Sequence, residues 1–123
     1  MISFEDFEQE SGTPIYIQLL RYVKRGIVAG TIKNGDALPS RRVLSALFGV
    51  NPNTVQKAYR ILEEEGLVQS HIGAKSYVVL NQASIEKLCA ELLEEDARRI
   101  VGAMKQMGIS KEKALALIEV YWE

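Results

Sequence analysis

The chain has 123 residues, 47% of them hydrophobic and 25% charged, which suits one globular domain or a domain with a small appendage. A single cysteine, Cys89, excludes an internal disulfide framework and any multi-cysteine metal site, and no apolar run approaches the roughly 18 residues of a membrane span. The net charge of −1 hides a division, with −4 over residues 1–14, +5 over 15–80 and −2 over 81–123, so a basic middle suited to a polyanion lies between acidic ends.

The first ten residues, MISFEDFEQE, are acidic where a secretory signal is basic, and no apolar segment follows, so the cytoplasm is the expected compartment and no membrane partner is implied. Ile2, Phe4 and Phe7 can tuck against the body. A helix is predicted next, with Thr13 as cap and Pro14 in the first helical position. Ile15, Leu19, Val23 and Ile27 follow at i, i+4 spacing, widened by Tyr16 and Leu20, and Gly30 ends the helix. Asn34-Gly35 and Pro39 are turn and breaker signals.

Two short helices follow. Ser40 caps the first, which carries Leu44, Leu47 and Phe48 and stops at Gly49. Asn51 caps the second, Pro52 starts it, and Gly66 ends it. Val55, Ala58, Tyr59 and Leu62 form its apolar stripe. Only Gly49-Val50-Asn51 separates the two helices, the short glycine-containing connection of a helix-turn-helix. The period then becomes strand-like. Residues 67–70 and 76–80 flank a glycine-bearing loop, residues 71–75, and read as a hairpin, hence a wing. Ser84 is a cap candidate for the helical remainder. There Leu88, Leu92, Leu93, Ala97, Ile100, Met104 and Met107 keep an apolar face, Gly108 interrupts it, and Ser110 caps a last helix bearing Ala114, Leu115, Ile118, Tyr121 and Trp122. The fold class is mainly α with a small β-hairpin: a winged helix-turn-helix over residues 1–80, then a short two-helix tail over 81–123.

The chemistry concentrates in the second helix of the pair. Asn53, Gln56, Lys57 and Arg60 share its outward face at i, i+3, i+4, i+7. Asn and Gln match adenine bidentately, and Lys and Arg suit guanine or phosphate. A solvated helix face would show the same residues; what favours DNA is the position on the second helix of a helix-turn-helix, whose first turns meet base edges. The acids Glu63, Glu64 and Glu65 fall at the far end. Arg41 and Arg42 open the preceding helix, where cations oppose the helix dipole. A phosphate held by them, by Ser40 and by the helix N–H groups offsets that cost. His71, Gly73 and Lys75 occupy the wing tip. His71 has no second histidine or cysteine beside it and suits a loop near phosphate better than a metal.

Catalytic constellations are absent. Cys89 reads as small buried filler, and Glu94-Glu95-Asp96 fan around their helix. No dinucleotide or phosphate-loop motif occurs, so neither a cofactor nor an enzyme is expected.

From Pro14 to Val79 the chain reads PIYIQLLRYVKRGIVAGTIKNGDALPSRRVLSALFGVNPNTVQKAYRILEEEGLV and then GAKSYVV. This stretch resembles the GntR family of bacterial transcription regulators, and NPNTVQKAY with a short C-terminal segment resembles its YtrA-type subfamily. The resemblance implies a dimeric winged-helix repressor on an inverted-repeat operator, with the operon of a transporter as a further implication. By position, Arg42 matches the arginine of the family's PS-x-R element, Asn51, Asn53, Thr54, Gln56 and Lys57 fall in the recognition helix, and Gly73 at the wing glycine. Arg41, Pro52 and Lys75 depart from the family pattern.

Residues 81–123 are too few for a large effector-binding domain. Leu88, Leu92, Leu93, Ile100, Met104, Leu115, Ile118, Tyr121 and Trp122 would leave an apolar patch on a monomer, which a second copy buries with two-fold symmetry; folding back on the winged domain is the alternative. A small-molecule effector between the winged domain and the tail is a further expectation. The expected function is therefore that of a sequence-specific, homodimeric repressor of its own operon that binds double-stranded DNA at an inverted-repeat operator. The rival is a winged-helix protein-interaction module that never reads DNA.

Overall fold

The computed structural model describes residues 1–70 and 75–123. It divides into two compact units, Met1–Leu88 and Cys89–Glu123.

The first unit opens on an ordered arm. Ile2 and Phe4 are buried, and Phe4 stacks on Tyr22 with ring centroids 4.9 Å apart. Phe7 meets Phe48 at 4.9 Å. The Ile2 N–H donates to the Ala37 carbonyl at 2.8 Å, so the arm is held by backbone pairing as well as by rings. Helix α1 spans Ile15–Ala29. Pro14 stands at its cap position and no side chain caps it, so the expected Thr13 cap is not made. Buried Gln18 organises this entry instead: its amide donates to the carbonyls of Thr13 at 2.7 Å and Glu10 at 2.9 Å and accepts from the Glu10 N–H at 2.8 Å. The tied side-chain amide satisfies backbone groups of the segment that leads into the helix, not the first-turn N–H donors that a cap would take.

Helix α2 (Arg41–Phe48) and helix α3 (Pro52–Glu64) form the helix-turn-helix. The Ser40 hydroxyl accepts from the Val43 N–H at 3.1 Å, and Asn51 Oδ1 accepts from the Asn53 N–H at 2.8 Å. Both expected caps are therefore made, each satisfying a first-turn donor. The turn between them needs Gly49 in the left-handed region, φ 64°, where a Cβ is penalised. Buried Ser45 closes the turn by donating its hydroxyl to the Val50 carbonyl and accepting the Val50 N–H on its own carbonyl. Leu44 is buried and Phe48 half-buried, but Leu47 is exposed: an eight-residue helix buries only one stripe, and Leu47 lies off it.

Strands β1 (Val68–Ser70) and β2 (Ser76–Val78) pair antiparallel, Val68 opposite Val78 and Ser70 opposite Ser76. Both are shorter than the sequence suggests. The segment before α2 pairs with β2 as well, through an Ala37–Tyr77 bridge, Leu38 N–H to Ser76 O at 2.9 Å and Val78 N–H to Asp36 O at 2.9 Å. The core beneath is Leu19, Val23 and Ile27 of α1, Leu38, Leu44, and Val55, Ala58 and Leu62 of α3, all within 2% exposure.

Helix α4 runs over Gln82–Gln106. Its cap is Asn81 rather than Ser84: Asn81 Oδ1 accepts from the Ser84 N–H at 2.8 Å and Ser84 Oγ from the Asn81 N–H at 3.0 Å, a reciprocal capping pair. Leu88 is 4% exposed, in the first unit; it belongs to a monomer's core and not to an open apolar face. Cys89 is half-buried, not filler sealed in a core.

The second unit holds the rest of α4 and helix α5 (Lys111–Tyr121), capped by Ser110 through the Lys113 N–H at 3.2 Å. Leu92 and Met104 are half-buried. Leu93, Ile100, Leu115, Ile118, Tyr121 and Trp122 are all exposed, Leu93 by 65% and Trp122 by 83%, and α5 has no buried residue. Among the described residues no helix is long and apolar enough to cross a membrane.

Candidate nucleic-acid interface

The wing base, the N-terminus of α2 and the outer face of α3 border one cleft of about 680 Å³. Ser40 and Arg41 line it from α2, Gln56, Arg60 and Glu63 from α3, and Ser70, Lys75 and Ser76 from the hairpin. Its floor holds Leu38, Pro39 and Tyr59. Three cations, Arg41, Arg60 and Lys75, thus line one cleft. They lie in three separate stretches of sequence, and only the fold assembles them.

Ser40, Arg41, Arg42, Asn51, Asn53, Lys57, Arg60 and Lys75 are exposed, while Thr54 and Gln56 are half-buried. Arg42, Asn53 and Lys57 lie outside the cleft lining, so the predicted residues do not form a single cluster. Asn51 spends its carbonyl oxygen on the α3 cap. Lys57 Nζ stands 4.0 Å from the centroid of the Tyr16 ring, a cation–π pair linking α3 to α1. The candidates His71 and Gly73 lie outside the described residues.

Three features escape a sequence reading. Tyr59, an apolar-stripe residue by period, donates its hydroxyl to the Pro39 carbonyl at 2.7 Å; burial pushes its phenol above the ordinary value of 10.0. Glu63, expected to lie away from DNA at the helix end, lines the cleft. Its carboxylate accepts from the Ser70 hydroxyl at 3.1 Å, and Ser70 and Ser76 share a hydrogen bond at 3.0 Å. Glu65, two residues on, instead pairs with Lys24 of α1 at 2.8 Å. No local pattern announces the Tyr59 and Glu63 ties, because each partner is distant in chain or strand. Tyr16 had a weak signal: an aromatic widening an apolar stripe sits at the edge of the buried face.

Among the described residues no group of three histidine, cysteine or acidic side chains could hold a metal ion. The cleft offers donors and positive charge to an elongated anion, with the Gln56 amide beside them.

Comparison with known proteins agrees with this geometry. Residues 15–78 match the family model for bacterial regulatory proteins of the gntR family. The HTH-type transcriptional repressor YtrA of Bacillus subtilis strain 168 is 33% identical over 107 residues, covering 86% of this chain and 82% of that protein. A GntR family transcriptional regulator from Listeria monocytogenes superposes with a TM-score of 0.77 at 33% identity, over 90% of this chain and 97% of the other. The AraR DNA-binding domain in complex with operator ORX1 superposes with a TM-score of 0.51 at 29% identity, over 58% of this chain and 87% of that one. The match spans both helices and the hairpin that build the cleft, and the chain belongs to the gntR family of bacterial regulatory proteins, as a YtrA-type DNA-binding transcriptional regulator and not an enzyme.

Proposed function

We propose that this chain is a homodimeric cytoplasmic repressor that binds an inverted-repeat operator, with residues 1–80 as the DNA-binding domain and 81–123 as the dimerisation tail. The observation that carries the reading is the cleft that Arg41, Arg60 and Lys75 line together with Gln56. Helix α3 enters the major groove, where Arg42, Asn53, Gln56 and Lys57 read bases. Ser40, Arg41, Arg60 and Lys75 hold phosphates, Asn51 and Thr54 support the first turn, and the wing, with His71 and Gly73, follows the backbone or minor groove.

Dimerisation is supported by the apolar residues that both tail helices leave open. Such a surface is costly on a monomer and is buried by a two-fold copy. Two copies present two recognition helices, which is what an inverted repeat requires. Regulation of a transporter operon, and a small-molecule effector, complete the proposal by likeness to the subfamily.

The test is binding of a fluorescent duplex from upstream of the protein's own gene at about 150 mM salt with excess random DNA. Nanomolar binding that survives the competitor, with two protomers per duplex, is expected. Loss of binding under competition, repeated with fragments selected genome-wide, overturns the reading in favour of a protein-interaction module.

A further inference from the structure

Of the base readers proposed on α3, Asn53 is exposed and Gln56 lines the cleft. Lys57 differs, because its ammonium rests on an aromatic face carried by a different helix. The distance from Nζ to the Tyr16 ring centroid is 4.0 Å, well inside the range in which the ring quadrupole attracts a cation. The platform beneath is tied by hydrogen bonds and packed on both helices. Tyr16 follows the α1 entry that Gln18 ties to Glu10 and Thr13. Leu19 and Val23 of α1 and Val55, Ala58 and Leu62 of α3 are all buried.

We propose that Tyr16 is a positioning residue for DNA recognition: its ring fixes the Lys57 ammonium beside the recognition-helix face before DNA arrives. The inference rests on the reading of α3 as the recognition helix. A lysine stem has four freely rotating carbons, and ordering it on binding costs affinity that a preorganised side chain keeps. The ring engages the cation electrostatically and uses none of its acceptor partners, so the N–H donors that do not face the ring remain for a phosphate oxygen or guanine edge. A platform residue in α1 thereby enters the DNA-binding machinery without touching a base.

The experiment is a double-mutant cycle on the upstream duplex, with NMR of the free protein. In the free protein the Lys57 ε-methylene resonances are expected upfield of random-coil values through the ring current, to stay so in Tyr16→Phe, and to return in Tyr16→Leu. On DNA, Tyr16→Leu is expected to weaken binding about two- to fivefold, the scale of an exposed cation–π pair, Tyr16→Phe to match wild type, and Tyr16→Leu to cost nothing further in a Lys57→Ala background. Should Tyr16→Leu fail to fold, stepwise ring-fluorinated phenylalanine at position 16 weakens the π face at nearly constant shape, and affinity is expected to fall with each fluorine. If wild type binds its duplex while Tyr16→Leu and Lys57→Ala effects add, or the fluorine series is flat, or Lys57→Ala is silent, the positioning role is overturned and the DNA reading stands. If wild type shows no preference for the duplex or for any selected fragment, the DNA reading itself fails.

Discussion

The hydroxyl of Tyr59, at the middle of the recognition helix, donates to the carbonyl of Pro39, one residue before the cap of α2, at 2.7 Å. Its neighbour Leu38 donates its N–H to Ser76 of the wing at 2.9 Å. The segment Ala37–Pro39 thus joins all three borders of the cleft, and Tyr59 is the side chain that ties α3 to it.

Replacing Tyr59 with Phe leaves the buried Pro39 carbonyl without this donor, a loss of about 1–3 kcal/mol, measurable as a lower urea midpoint with an unchanged slope. The phenol also makes stability depend on pH. Its folded value is raised above the ordinary 10.0 by burial, so its contribution is complete below pH 10 and declines as pH rises from there toward the folded value. The wild type should lose stability above pH 10 more steeply than Tyr59→Phe; equal slopes would refute the assignment.

Gln56 and Lys75 line the same cleft from α3 and from the hairpin, yet their substitutions should differ in kind. Gln56→Ala is expected to cost about 1–3 kcal/mol on the cognate site and to relax one base position. Lys75→Ala is expected to weaken cognate and random DNA alike and to lower the salt slope by about 1. Titrations of both variants on both duplexes over a salt series distinguish them; equal losses for Gln56→Ala on cognate and random DNA would remove its base-reading role.

Glu63 places a negative charge among Arg41, Arg60 and Lys75 while accepting from Ser70 at 3.1 Å. Glu63→Gln keeps an acceptor for Ser70 and removes the charge that repels phosphate. Affinity for random DNA should rise about two- to tenfold at low salt, and the gain should shrink as salt screens it. An unchanged affinity would place Glu63 outside the reach of DNA.

Ile118 and Leu115 lie on α5 and are exposed in the single chain. Ile118→Asp is expected to raise the dimer dissociation constant by more than about tenfold, since a buried unpaired charge costs far more than the methyl groups it replaces. Sedimentation equilibrium would read this directly. The winged unit's melting should be unaltered, and operator binding should weaken because two half-sites no longer share one protein.

Local chemistry alone was enough for much of the outline. Ser40, Asn51 and Ser110 cap helices where they stand before apolar periods, Gly30 and Gly49 end them in the left-handed region, and the α3 stripe of Val55, Ala58, Tyr59 and Leu62 is buried as its spacing requires. Caps, stops and stripes act within one or two turns, so a sequence reveals them. It also determined which residues of α3 turn outward, and that the tail carries more apolar surface than two helices bury between them.

Only the tertiary structure decided how distant residues meet. It joined Tyr59 to Pro39, stacked Lys57 on Tyr16, drew Glu63 into the cleft and sent Leu88 into the core while Leu93 stayed open. These outcomes depend on which helix lies beside which, and the periodicity of one segment carries no record of its neighbours.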